Sequence, residues 1–421
     1  MDHFIRDSNG VDIGTGTWFT WNGVRSVADT RNSGGRGVYF DETLRDGLQA
    51  PNIRNPTLAQ KLSLVDHTVA VGVGAADLGF PGASSTAAEE CIEIAKYIDA
   101  NGYDLAQGYA GRTHADDISA ICEVSQAAGV PVDAYVFTGV SPIRQYVEDW
   151  DICAIARNVR DSARMCRRAG VTFVLVLEDT VRCPPQLLQQ IYDVAIEVGV
   201  RRVCLCDTVG AALPSGTEAL IKWSTRYFAE RGHAADFEWH GHNDRGLALA
   251  NSLTALSAGC VRVHGTILGI GERTGNASLD QLILNSHLDQ AGGYDLIALR
   301  KYCEYASEVL NAAIPNNYPA MGSDVFKTSA GVHAAAILKA HRKGDRLLED
   351  TVYSSVPASH FGRAQEVVID ASSGASNVRY WLATNGLADD RVLIEKILQR
   401  AKRSSTPLTD ELIGQIIATT E

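Results

Sequence analysis

The stretch VTFVLVLEDTVRCPPQLLQQIYDVAIEVGVRRVCLCDT, residues 171–208, decides how this chain is read. It opens on a short apolar run rich in β-branched residues, the pattern of a buried strand. A segment of helical period follows, PQLLQQIYDVAIEVG at 185–199, and ends in glycine. A second apolar run, RRVCLCDT at 201–208, begins at once. Glycine directly after the last periodic residue is a helix stop signal. Strand, helix and strand in this order make the unit from which parallel sheets are assembled.

The unit recurs in both directions. Apolar β-rich runs stand at GVYFDETL (37–44), AADLGF (75–80), YDLAQGY (103–109) and VPVDAYVF (130–137), then at 171–179, 201–208, ADFEWHGH (235–242) and VRVHGTIL (261–268). Longer helical segments separate them, such as TAAEECIEIAKYIDANG at 86–102. Eight strands, each followed by a helix, predict an α/β fold of the closed (β/α)8, or TIM, barrel type. An open doubly wound sheet usually has fewer strands, and no G-x-G-x-x-G follows the first run. The expected domains are an N-terminal extension at 1–36, the catalytic barrel at 37–311 and a smaller α-rich C-terminal region at 312–421. In that last region FKTSAGVHAAAILKA (326–340) reads as a loop entering a helix, and QEVVIDASSG (365–374) as a short strand.

Composition narrows the function. The formal net charge of −12 argues against a nucleic-acid partner, which calls for a basic face. Nine cysteines with no C-x-x-C read as reduced thiols, and the CLC pair at 204–206 as small residues on a buried strand. No apolar run approaches a membrane span, and the N-terminus lacks the signal-peptide order. A cytoplasmic protein acting on small molecules is expected.

Active sites of such barrels gather where the strands end, and polar residues cluster there. Arg45 and Asp46 follow the first run, the second carries Asp77, Glu178 and Asp179 end the fifth, and Asp207 and Thr208 the sixth. The seventh closes on His240 and His242. Positions i and i+2 of a strand share a face, so the imidazoles would stand side by side. Taken alone, the H-x-H leaves open a metal site or two histidines near each other by accident. After the eighth run comes the glycine-rich GIGERTGNA, 269–277, in which Glu272 and Arg273 read as a structural ion pair.

Three long stretches carry a resemblance: FDETLRDGLQ (40–49), HGHNDRGLALANSLTALSAG (240–259) and GTILGIGERTGNASLD (265–280). LGFPGAS (78–84), DTVGAALP (207–214) and FKTSAGVHAAAIL (326–338) extend it to roughly residues 37–400. The chain resembles the isopropylmalate, homocitrate and citramalate synthases, within a superfamily that includes hydroxymethylglutaryl-CoA lyase. The resemblance implies Claisen condensation of acetyl-CoA with a 2-oxo acid, followed by thioester hydrolysis. It implies a divalent metal (Mg²⁺, Mn²⁺ or Zn²⁺) on Asp46, His240, His242 and Asn276, and Arg45 steadying the developing alkoxide. It further implies His333 as the base that deprotonates the acetyl methyl, Tyr353 working with it, and Glu178 orienting base or substrate. Gln49, Asp77, Tyr135 and Thr208 fall to the substrate pocket, and a homodimer with shared active sites is implied.

Two alternatives stand beside it. Lyase-type carbon–carbon cleavage is one, but lyases carry a cysteine in the loop where this chain has GIGERTGNA. A noncatalytic binding subunit is the other, and it would have lost a ligand or Arg45. The acceptor is left open by the departures: no arginine in the fifth run, Asp77 for a usual Glu, Tyr135 for a frequent His, and Ala50-Pro51 for a usual Ser-containing turn. Arg112, Arg144 and Arg182 lie near strand ends, where they could meet a second anion.

Overall fold

The computed structural model describes residues 4–6, 12–15, 38–288 and 293–419. Eight parallel strands close into a barrel: β1 (Tyr39–Asp41), β2 (Ala75–Asp77), β3 (Ala106–Arg112), β4 (Asp133–Gly139), β5 (Thr172–Glu178), β6 (Arg202–Asp207), β7 (Asp236–Gly241) and β8 (Arg262–Gly265). Six strands lie within the runs from which they were expected, while β3 and β4 overlap theirs and extend past them, to Arg112 and Gly139. The barrel shuts by pairing of β8 with β1, Val263 opposite Tyr39 and Gly265 opposite Asp41. A strand packed on both faces has no solvent side, which explains why TFVLVLE is nearly continuous in apolar residues rather than alternating.

The helices form where the sequence marks them. Pro185 occupies the first turn of Pro185–Glu197, where its missing N–H costs nothing, and Leu188, Ile191, Tyr192 and Ala195 make its buried stripe. Ile152–Ala169 is capped by the Asp151 carboxylate and stopped by Gly170 at φ 72°, a conformation that a side chain would strain.

β1 is only three residues long. Chain reversal after it is fixed by Asp41, whose carboxylate accepts from the Thr43 N–H at 2.9 Å and from the Thr43 hydroxyl at 2.5 Å. Thr43 Oγ1 in turn accepts from Ile267 N, just past β8, at 2.9 Å. Arg45 and Asp46 therefore stand on a turn stitched to β8, beyond the end of the strand.

The chain divides into two compact units, Met1–Asn52 with Gly72–Gly293, and Ile53–Val71 with Tyr294–Glu421. The first contains all eight barrel strands. At its start Phe4–Arg6 and Asp12–Thr15 pair antiparallel; the rest of the 1–36 extension lies outside the described residues. In the second unit, helix Leu58–Val71 packs on Leu296–Leu310, with the Thr68 hydroxyl donating to Tyr302 Oη at 3.3 Å. Strand–helix alternation cannot reveal this allegiance, because it counts Leu58–Val71 among the barrel helices.

The rest of that unit is mainly helical. Lys327–Thr328 and Glu366–Val367 form a two-residue parallel pair. Val378, Leu382, Ile394 and Ile397 form one core, and Ala334, Ile337 and Tyr380 another. All nine cysteines are free. Among the described residues no helix is long and apolar enough to cross a membrane.

Candidate metal centre and substrate pocket

His240 lies near the end of β7 and His242 just beyond it, where it pairs with Asn276 in an isolated bridge. Their rings are 5.0 Å apart, centroid to centroid. Asp46 Oδ2 sits 3.7 Å from His240 Nε2 and 3.6 Å from His242 Nε2, and accepts from Asn276 Nδ2 at 2.5 Å. All four side chains are buried. Segments far apart in sequence thus converge because β7, β8 and β1 are neighbours in the barrel.

The donor set fits a divalent cation. Asn276 Oδ1 is buried and has no hydrogen-bond partner, a cost that native proteins rarely leave uncompensated. That oxygen packs against Gly271, at φ 154°, where a Cβ would lie 2.1 Å from it, so the loop after β8 requires glycine there. Two imidazoles, a carboxylate and an amide oxygen suit Mg²⁺, Mn²⁺ or Zn²⁺.

A second layer orients the first. Glu42 Oε2 lies 2.7 Å from His240 Nδ1, which fixes the ring with Nε2 toward Asp46. Glu42 Oε1 lies 2.9 Å from His264 Nδ1, and His264 Nε2 lies 2.9 Å from Glu238 Oε2. Arg45 closes the array with its fork: Nε donates to Asp77 at 2.7 Å, Nη1 to Asp46 at 2.9 Å and Nη2 to Glu42 at 3.0 Å.

Sequence reasoning missed Glu42, Glu238 and His264. Their signals were present, since charged residues on short interior strands are costly unless paired, but a single strand does not name the partner.

These contacts set the protonation states. Burial works against charge on His240, yet the Glu42 carboxylate outweighs it and lifts the pKa to about 10. Burial and the neighbouring His240 charge hold His242 down at about 4. Burial also opposes ionisation of Asp46, but Arg45 and His240 keep it below the usual range. The centre thus calls for positive charge at His240, which a proton or a cation can supply.

A cation must then displace that proton at any pH below about 10. Apparent Mn²⁺ affinity is expected to rise about tenfold per pH unit between about pH 6 and 8. Calorimetric titration at three pH values checks this; a flat profile would mean that His240 is neutral in the free protein.

Asp46, His240 and His242, with Glu42, Arg45 and His264, line a cavity of about 290 Å³. Of the residues expected in the pocket, Gln49, Asp77, Tyr135, Glu178 and Thr208 all line it. Burial pushes Asp77 up to about 6 despite Arg45. It also raises Glu178, which pairs with Arg144 at 2.9 Å. Thr208 Oγ1 accepts from Asp179 N at 2.8 Å, joining the ends of β5 and β6. The Tyr135 ring stacks on Phe40, and its hydroxyl accepts from Arg262 at 2.8 Å. Ala110, Phe137, Val176, Cys204 and Cys206 complete much of the wall.

Arg273 pairs chiefly with Asp244, at 2.9 Å, rather than with Glu272, at 3.8 Å. His333 and Tyr353 lie in the second unit, exposed, with rings stacked at 4.0 Å. That unit also holds a larger cavity, about 1040 Å³, but its Lys327, His341 and Trp381 are committed to Asp324, Glu349 and Asp410.

A parallel barrel with two histidines, a carboxylate and an asparagine side chain converging at its C-terminal end defines a class, the metal-centred barrels. The comparisons with known proteins then agree. The HMGL-like family model matches residues 38–305, and the chain belongs to that family.

A probable 2-isopropylmalate synthase of Ignicoccus hospitalis is 29% identical over 385 residues, 90% of both chains. A 2-isopropylmalate synthase of Methylacidiphilum infernorum is 34% identical, over 72% of this chain and 60% of its own. The homocitrate synthase AksA of Methanocaldococcus jannaschii is 28% identical, over 90% and 89%. Among solved structures, the HMG-CoA lyase of Bacillus subtilis superposes with a TM-score of 0.55, covering 67% of this chain and 96% of its own at 20% identity, a likeness of fold.

Proposed function

We propose that this chain is a C-acyltransferase that condenses acetyl-CoA with a 2-oxo acid and hydrolyses the resulting thioester, releasing CoA and a 2-hydroxy-2-alkyl diacid or triacid. The observation that carries the reading is the buried set Asp46, His240, His242 and Asn276 with Arg45 beside it. Synthase relatives that align over nine-tenths of this chain support it.

Asp46, His240, His242 and Asn276 would hold Mg²⁺, Mn²⁺ or Zn²⁺, which when bound polarises the ketone of the acceptor. Glu42 keeps His240 in register for that task. Arg45 uses three of its roughly five N–H groups on carboxylates, and the remaining edge steadies the alkoxide that develops at the former ketone. Gln49, Asp77, Tyr135 and Thr208 shape the pocket, and Glu178 orients the reacting groups. His333 takes the methyl proton of acetyl-CoA, with Tyr353 stacked against it. The working unit is a cytoplasmic homodimer with shared sites.

The test is thiol release from acetyl-CoA. Release is expected only when a 2-oxo acid is added, to vanish after chelation and to return with a divalent cation. Full turnover in metal-free protein would defeat the reading.

A further inference from the structure

We infer that the 2-oxo acid accepted here carries a compact, uncharged side chain, and that Phe137 and Val176 set its size; this rests on the condensation proposed above. The acceptor's carboxylate and ketone belong at the ligand set beside Arg45, so its remainder must occupy the rest of the cavity. One stretch of wall there is apolar, formed by Ala110 on β3, Phe137 on β4 and Val176 on β5. Phe137 and Val176 are register partners across β4 and β5, and both are half-buried. Neighbours of this kind present adjacent side chains on one face. At about 290 Å³ the cavity is at the small end for ligand sites.

Charge carries the second half. A distal carboxylate or phosphonate needs a cation free to meet it. Among the described residues lining the cavity, Arg45 is the only lysine or arginine, and three carboxylates already balance it. The arginines near strand ends are also engaged. Arg112 chelates Asp117, Arg144 pairs with Glu178 and Glu148, and Arg182 chelates Asp179. Deeper in the barrel, Arg202 meets Asp133 at 2.5 Å and Arg262 meets Glu238 at 3.5 Å. The cavity wall itself presents Asp77 and Glu178. An anionic tail would be buried beside two carboxylates with no counter-ion of its own.

The test compares kcat/KM by thiol release, with acetyl-CoA and with Mg²⁺ or Mn²⁺ in parallel. Pyruvate, 2-oxobutyrate and 2-oxoisovalerate form one group; oxaloacetate, 2-oxoglutarate and phosphonopyruvate form the other. The best neutral-tailed acid should exceed every anionic-tailed acid by at least about 100-fold. An anionic-tailed acid used equally well or better overturns the inference. If no acid releases thiol but hydroxymethylglutaryl-CoA is cleaved, the condensation reading fails first and takes the inference with it.

Phe137→Ala should move the preferred acceptor to a longer chain, by roughly tenfold or more in relative kcat/KM. Val176→Ala makes the same test should the first variant fail to fold. An unchanged ranking in a folded variant overturns the role of these two residues.

Discussion

Asp46→Asn should weaken Mn²⁺ binding by at least about 10²-fold and cut turnover by about 10³-fold, while the protein keeps its fold. The substitution changes little in volume but removes the only carboxylate among the four proposed ligands. Arg45 and His240 hold Asp46 ionised against the pull of burial, so the wild-type centre carries that charge at neutral pH. Its Oδ2 is also the atom shared by His240, His242 and Asn276. An amide there cannot balance Arg45, and its N–H₂ could point into the ligand set. Several kcal/mol of transition-state stabilisation from a bound cation would go with it, and each ~1.4 kcal/mol is a factor of ten.

A graded comparison makes the experiment discriminating. Glu42→Gln leaves every proposed ligand in place and removes the charge from the outer group that meets His240 Nδ1, His264 Nδ1 and Arg45 Nη2. Loss of such an outer contact typically costs about 10–100-fold in affinity. Calorimetry with circular dichroism as the folding control should therefore rank wild type above Glu42→Gln above Asp46→Asn. Tight Mn²⁺ binding and full turnover in folded Asp46→Asn would remove Asp46 from the centre.

How much of this could be read beforehand follows from the range of each interaction. Strand and helix periodicity is local, so all eight strands were legible, as was the helix stop at Gly199, which stands at φ 74°. The convergence of Asp46 on His240 and His242 follows once the barrel is closed, because closure makes β1, β7 and β8 neighbours. The chain of Arg45, Glu42, His264 and Glu238 was not legible. It joins side chains of β7, β8 and the turn after β1 through hydrogen bonds, and no spacing within a single strand encodes such a link. Packing was equally silent: the pattern of Leu58–Val71 marks a helix, but only its contact with Leu296–Leu310 marks the unit to which it belongs. Arg273 chose Asp244 over its sequence neighbour Glu272 because of its backbone. At φ 55° the residue reaches both Asp244 carboxylate oxygens and the Thr208 carbonyl.

His333→Ala should lower turnover by roughly 10² to 10⁴, the usual worth of a positioned general base, and leave 2-oxo acid affinity nearly unchanged. The split follows from the division of labour proposed above. The acceptor is held by the ligand set and Arg45 in the first unit, whereas His333 stands near the start of helix Gly331–Arg342 in the second. Its ring is exposed and backed by Tyr353, so its removal opens no buried cavity and should leave the fold intact. If the base serves the site of a partner subunit, an inactive His333→Ala chain mixed with an inactive Asp46→Ala chain should regain activity, since one site of each mixed dimer would hold both intact halves. Verified subunit exchange without recovery would mean that the base works within its own chain, or is another residue. Deuterium exchange separates these: with a nonreactive 2-oxo acid analogue bound, the wild type should wash solvent deuterium into the acetyl-CoA methyl group. Exchange at the wild-type rate in His333→Ala would take the proton-abstracting role from this histidine, whatever the mixing experiment returns.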